Sequence, residues 1–194
     1  MDELPSVTER LQEYEGELRA NTLRAASVVL FYLVELANYR GLSWGPLQLP
    51  KVSGVDRGFH LAMTTLALAW LLTSWGVYGF LRRRVFPPAL KYLSTGLDLV
   101  FLTAVLLVAD GPRSPLVVGY FIVLCLAALR LSVRLVRFAA AGAVLGYLVL
   151  LGDARWLKPA LRIPRYHQVD FLLALVLCGV VLGQVLRRAR ARGS

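Results

Sequence analysis

A single carboxylate, Asp98, lies near the middle of a long apolar run at residues 91–106, KYLSTGLDLVFLTAVL. Moving a charged side chain into hydrocarbon costs between about 3 and more than about 10 kcal/mol, so a carboxylate at this depth is expected to have a partner. Arg130 ends the next apolar run at a similar predicted depth, and the short connection ADGPRSP favours packing between the two segments. The sequence therefore predicts an Asp98–Arg130 pair that joins two membrane helices. Signal transmission through Asp98, or a proton or ion relay through Asp98 and Glu35, are the alternatives.

Two histidines and several carboxylates are predicted on the outer face of the membrane. His60 opens the second apolar segment, with Asp56 four residues earlier, and His167 precedes the sixth, with Asp170 three residues later on the same helical face. Imidazole and carboxylate groups in one place are typical of a site that binds a small ligand, takes up a proton or holds a metal ion. Together with Glu35 they form the candidate outer-face site. Capping of helix ends by interfacial carboxylates is the alternative interpretation.

Motifs of catalysis are absent from the sequence. It contains no glycine-rich phosphate loop, no G-x-S-x-G elbow, no HExxH and no Cys-x-x-Cys. Cys125 and Cys178 both lie in apolar runs, where a small packing role is expected. We therefore expect neither enzymatic activity nor a cofactor nor a bound metal from these residues. A G-x-x-x-G motif at Gly142 and Gly146 favours close helix packing, either within the chain or in a dimer.

The composition places the chain among membrane proteins. Hydrophobic residues make up 57% of its 194 residues and charged residues only 18%, against about 45–50% and about 25% in soluble domains. The predicted fold class is all-α, with a cytoplasmic helix at 1–22, a bundle of six transmembrane helices at 23–186 and a basic cytoplasmic tail at 187–194. The six apolar segments are predicted at about 23–39, 59–81, 88–109, 115–131, 135–151 and 169–186.

Basic residues set the predicted orientation. Arginines cluster after the second segment, between the fourth and fifth, and after the sixth, and all three places face the cytoplasm if the N-terminus does. Both termini are therefore predicted inside, in the inner membrane of a bacterium. The net charge of +10 is assigned to topology and to contacts with anionic lipid, and nucleic acid is not expected as a partner. The basic residues in question are Arg82, Arg83, Arg84, Arg130, Arg134, Arg137, Arg187, Arg188, Arg190 and Arg192, with Arg19 before the first segment and Arg24 at its start.

Residues 82–148 resemble the membrane part of bacterial multi-pass signalling proteins. The likeness is carried by Tyr92, Asp98, the outer turn Asp110-Gly111-Pro112 with Ser114-Pro115, Tyr120-Phe121 and Ala127-Ala128-Leu129-Arg130. In these proteins a six-helix N-terminal module precedes a cyclase, histidine kinase, diguanylate cyclase or Ser/Thr kinase domain, and the membrane anchor of class III adenylate cyclases has the same topology.

The resemblance implies a sensor or anchoring domain whose outer face receives a ligand. The sequence departs from those proteins in one respect, because no effector domain lies within these residues. For a domain of this kind we expect a homodimer, a small extracytoplasmic ligand and an output through the end of the sixth helix, at Gln184, Arg187 and Arg188. Three other interpretations stay open: a small transporter or channel that uses Asp98 and Glu35, a haem or metal protein that uses His60 and His167, and a passive anchor.

Overall fold

The protein is a predominantly helical bundle. A computed structural model describes residues 7–40, 42–44, 47–49, 57–83 and 89–191. The helices are α1 (Val7–Arg40), α2 (Arg57–Arg82), α3 (Ala89–Val108), α4 (Gly119–Leu129), α5 (Val133–Trp156) and α6 (Arg165–Ala191). Between α1 and α2 lies an antiparallel pair of short strands, β1 (Leu42–Trp44) and β2 (Leu47–Leu49), and 3-10 turns occur at Gly111–Arg113, Pro115–Val118 and Pro159–Leu161.

Five of the described helices are long and apolar enough to cross a membrane. They contain the spans Tyr14–Ala37, Arg57–Arg82, Ala89–Val108, Val133–Trp156 and Arg165–Ala189. The chain is therefore a multi-pass helical membrane protein, as the composition predicts. Below, the side predicted to be cytoplasmic is called the inner side.

The fourth predicted segment is shorter than the others. It consists of the 3-10 turn at Pro115–Val118 followed by the 11 residues of α4. At about 2 Å per residue in the turn and about 1.5 Å per residue in the α-helix, it covers roughly 24 Å, less than the roughly 30 Å of a hydrocarbon core. A sixth complete span and the positions of the termini stay predictions.

No helix end occurs at the boundary predicted near residue 22. α1 continues through that position as one helix of 34 residues. Glu17, Asn21 and Arg24 recur at helical spacing, and all three side chains are buried. Part of the polar character of this stretch therefore belongs to a face that packs inside the bundle, while Glu15 and Arg19 are exposed.

The apolar core is centred on α5. This helix packs against α3, α4 and α6, while α1 packs on α2 and α4, and α2 packs on α3. The buried positions of α5 recur at helical spacing, as expected for a helix with one face in the core. They are Leu135, Val136, Ala139, Ala143, Tyr147, Leu150 and Ala154.

The G-x-x-x-G motif packs within the chain. A Cβ atom on Gly142 would lie 2.5 Å from Leu99 Cδ1, and one on Gly146 would lie 2.7 Å from Thr103 Oγ1 and 2.8 Å from the hydroxyl of Tyr120. Glycine at these two positions lets α5 approach α3 and α4 closely, as small residues do between membrane helices. Of the two alternatives left open by the sequence, the structure shows packing within the chain.

The outer connections are fixed by side chains that reach backbone carbonyls. Lys158 donates to the carbonyl of Leu107 at the end of α3, and Arg113 donates to the carbonyl of Ala160 at 2.9 Å. The segments that follow α3 and α5 are thus tied to each other and to the bundle.

We expect Gly146→Leu to destabilise the bundle by about 3 kcal/mol, because the added atoms must displace the hydrogen-bonded Thr103 and the fully buried Tyr120. Thermal unfolding in detergent, followed by circular dichroism, measures the loss. Gly76→Leu is the matched control, since a Cβ atom at Gly76 meets nothing within 4 Å. Equal destabilisation by both substitutions would show that the close approach of α5 is not the cause.

Candidate functional site: a buried ion-pair cluster and an adjoining crevice

The centre of the candidate site is the carboxylate of Asp98 on α3. Its side chain is almost completely buried, as is that of Arg24 on α1. Arg24 Nε lies 2.8 Å from Asp98 Oδ1 and donates to Oδ2 at 3.0 Å, and the indole nitrogen of Trp70 on α2 donates to Oδ1 at 2.8 Å. Three helices therefore meet at one carboxylate whose two oxygens both have partners.

A second buried ion pair lies one turn towards the inner side. Arg130, directly after α4, places its Nε 3.1 Å from Glu17 Oε2 on α1. Its Nη1 donates to the carbonyl of Lys91 at 2.9 Å and to the hydroxyl of Thr95, both on α3. The Glu17–Arg130 contact has the distance of an ion pair but not the geometry of a hydrogen bond, and neither Glu17 oxygen has a donor among the described residues. Charge alone holds this carboxylate.

Asn21 connects the first ion pair to α2. Its side-chain oxygen accepts from Arg24 Nη1 at 3.1 Å, and its side-chain nitrogen donates to the carbonyl of Ser74 at 3.0 Å. The ion-pair cluster consists of Glu17, Asn21, Arg24, Trp70, Thr95, Asp98 and Arg130. It joins α1, α2, α3 and the end of α4.

The prediction that Arg130 is the partner of Asp98 is wrong. Asp98 pairs with Arg24, and Arg130 pairs with Glu17, although Arg130 does contact α3 through Thr95. The short connection between α3 and α4 had indicated that the partner of Asp98 lies on the next segment along the chain. The i, i+4, i+7 spacing of Glu17, Asn21 and Arg24 was the signal in the sequence that indicates a polar face on α1.

A histidine–carboxylate pair lies at the outer ends of α1 and α2. His60 Nδ1 is 3.0 Å from Glu35 Oε1, and the Glu35 side chain is 9% exposed. The imidazole ring stacks on Tyr39, with ring centroids 4.1 Å apart and planes 3° from parallel. Close by, the hydroxyl groups of Tyr32 and Thr64 are 3.0 Å apart. The structure thus brings together two members of the candidate outer-face site.

The other members of that set lie elsewhere or outside the described residues. His167 and Asp170 are exposed near the start of α6, where His167 stacks on Tyr166, and Asp56 lies outside the described residues. In the part of the chain that the structure describes, no group of three or more His, Cys, Asp or Glu side chains is arranged to hold a metal ion. Gln184, Arg187 and Arg188 are exposed near the end of α6.

An apolar crevice connects the outer pair with the ion-pair cluster. This cavity of about 50 Å³ lies between α1, α2 and α3, and its lining runs from Glu35 at the outer end to Trp70 at the inner end. Trp70 also stacks on Phe101 of α3, with ring centroids 5.9 Å apart. The same indole therefore lines the crevice and donates to Asp98.

No protein-family model, curated protein or solved structure matches the chain. The cluster contains two ion pairs, and α1 supplies the guanidinium of one, Arg24, and the carboxylate of the other, Glu17. The crevice is an apolar space with a carboxylate, Glu35, at its outer end.

We expect Asp98→Asn to destabilise the bundle by about 3–5 kcal/mol, because it leaves Arg24 as an uncompensated buried charge. Arg24→Gln alone is expected to have a similar effect, and the double variant is expected to lose much less than the sum of the two. Thermal unfolding of the four proteins in detergent gives the coupling energy of the pair.

Two further variants show whether this coupling is specific. Asp98→Asn with Arg130→Gln is expected to give a smaller coupling energy, since these side chains belong to different ion pairs. Arg19→Gln, which removes an exposed pair with Glu15, is expected to cost less than about 1 kcal/mol. A larger coupling energy for Asp98 with Arg130 than with Arg24 would contradict the observed pairing.

Proposed function

We propose that the chain is a membrane sensor or regulatory domain, in which a change in the outer half of the bundle or in the surrounding lipid alters a cytoplasmic output through α6. The observation that carries this proposal is the double role of Trp70. One side chain lines the outer crevice and holds the buried carboxylate of Asp98. A molecule or lipid chain that enters the crevice would therefore contact a member of the ion-pair cluster.

The next step runs from the cluster to α4 and α6. Arg130 directly follows α4 and is held by Glu17 of α1. α1 also touches this point through its backbone, because a Cβ atom on Gly16 would lie 2.9 Å from the carbonyl oxygen of Leu129. α4 in turn packs against α6. A shift of α1 relative to α3 would therefore move the inner end of α4, and through it α6.

A regulatory change of this kind requires two states of the bundle and a ligand that prefers one of them. The Glu35–His60 pair at the outer end of the crevice suits a small extracytoplasmic ligand with a hydrogen-bonding or cationic group. Both termini on the cytoplasmic side, the inner membrane of a bacterium and a homodimer complete the proposal, on the strength of the arginine pattern and the resemblance to signalling proteins.

We expect Trp70→Phe to change hydrogen exchange of backbone amides in residues 175–191 of α6 by severalfold, because it removes the donor to Asp98 while keeping an aromatic ring in the crevice. Exchange measured by mass spectrometry on the protein in lipid nanodiscs reports this change. Trp75→Phe is the matched control, since Trp75 lies on the same helix and is 75% exposed. A change confined to α1–α3, with α6 unaltered, would exclude transmission through α6.

The second candidate function is a small proton or ion transporter, which the crevice between Glu35 and Trp70, the indole donor to Asp98, favours. Against it stands the engagement of both Asp98 oxygens by fixed donors. In liposomes that contain the protein and a pH-sensitive dye, we expect proton permeability equal to that of protein-free liposomes. A flux that disappears in Asp98→Asn, in a preparation whose circular dichroism shows that the variant is still folded, would establish the transporter and overturn the sensor.

A further inference from the structure

A basic pocket lies at the inner ends of α3, α5 and α6, away from the ion-pair cluster and the crevice. It is an open space of about 620 Å³ lined by Lys91 on α3, Arg134 and Arg137 on α5, and Arg187 on α6. Its remaining lining residues are Tyr92, Ser132 and Val133. No carboxylate lines it among the described residues.

The positive charges of this pocket come from separate helices that packing forces together. Arg134 and Arg137 are three residues apart and share one face of the first turn of α5. Gly179 lets α6 lie directly against α5, since a Cβ atom at this position would be 2.7 Å from Ala140 Cβ. Two turns further along α6, Arg187 therefore lies near the start of α5. None of the three arginines forms an ion pair within the described part of the chain. An anion that enters the pocket would offset their mutual repulsion.

The position of the pocket indicates the source of that anion. Tyr92, in its lining, makes an edge-on contact with Phe138, with ring centroids 5.6 Å apart. Phe138 is 42% exposed and lies one position beyond Arg137. Apolar surface therefore begins directly beside the cationic groups, as at the boundary between headgroups and acyl chains.

We propose that this pocket binds a phosphate group, supplied by the headgroup of an anionic phospholipid whose acyl chains lie along α3 and α5. A soluble phosphate compound shares this chemistry and is the other source of the same group. The site stands independently of the sensor function. If the lipid site and the sensor function are both correct, the bound lipid holds the inner end of α6, which is the output end of the sensor, to α3 and α5.

The test uses the full chain in a non-ionic detergent and native mass spectrometry. The protein is titrated with short-chain phosphatidylglycerol, with phosphatidylcholine of the same chain length, and with inorganic pyrophosphate. We expect one saturable phosphatidylglycerol per chain and no saturable phosphatidylcholine. Arg134→Gln with Arg137→Gln is expected to weaken the binding about thirtyfold, from the contribution of each basic residue near an anionic headgroup.

The matched control is Arg82→Gln with Arg83→Gln, which removes two exposed arginines from the same side of the membrane but outside the pocket. We expect this variant to bind within about threefold of the unchanged protein. Arg187→Gln, which alters α6 alone, is expected to weaken binding about fivefold and serves if the α5 variant fails to fold.

Equal weakening by the pocket and control variants, or equal binding of phosphatidylcholine, would overturn the proposal, since either result means diffuse attraction instead of a site. Pyrophosphate that binds at the same arginines and displaces the lipid would retain the phosphate site and assign it to a soluble source. The absence of saturable binding by all three probes would also overturn it.

Discussion

The buried ion pair between Arg24 and Asp98 is the interaction on which the arrangement of α1, α2 and α3 depends. An isolated charge in a low-dielectric interior is so costly that only helix arrangements in which the two side chains meet are stable. Their meeting sets the depth of α1 relative to α3, and the indole of Trp70 then sets the position of α2. Once α1 is fixed in this way, Glu17 lies at the level where Arg130 ends α4.

The bundle combines two kinds of helix packing. Among the described residues, the main apolar core is built from α3, α4, α5 and α6, with Trp70 as the contribution of α2 and none from α1. A smaller cluster of Val77, Leu81 and Leu90 joins α2 to α3 at the inner end. Lipid tails are as apolar as leucine, so apolar contact gives little preference for one arrangement of membrane helices over another. The polar contacts of α1 and α2 supply that preference, while close packing through glycine fixes α3 against α5.

Composition and the length of apolar runs were sufficient to predict a multi-pass helical membrane protein, because these properties depend on the chain and the bilayer alone. The need of Asp98 for a partner was likewise predictable from the cost of a buried charge. The identity of that partner was not, because Arg24 is distant in sequence and also fits the role of a topology signal. The crevice between Glu35 and Trp70 depends on how three helices cross, which periodicity within one helix does not encode.

The order of charges along α1 bears on how the bundle responds to the membrane potential. With its buried carboxylates ionised, α1 carries three buried charges: Glu17 and Arg24, each paired with a charge outside α1, and Glu35, which faces His60 of α2. An elementary charge that crosses the full potential gains about 2.3 kcal/mol per 100 mV. In a displacement of α1 along the membrane normal, the work on Glu17 largely cancels the work on Arg24, which leaves Glu35 as the buried charge that is not offset within the helix. The membrane potential therefore acts on α1 chiefly at the carboxylate that lines the outer end of the crevice.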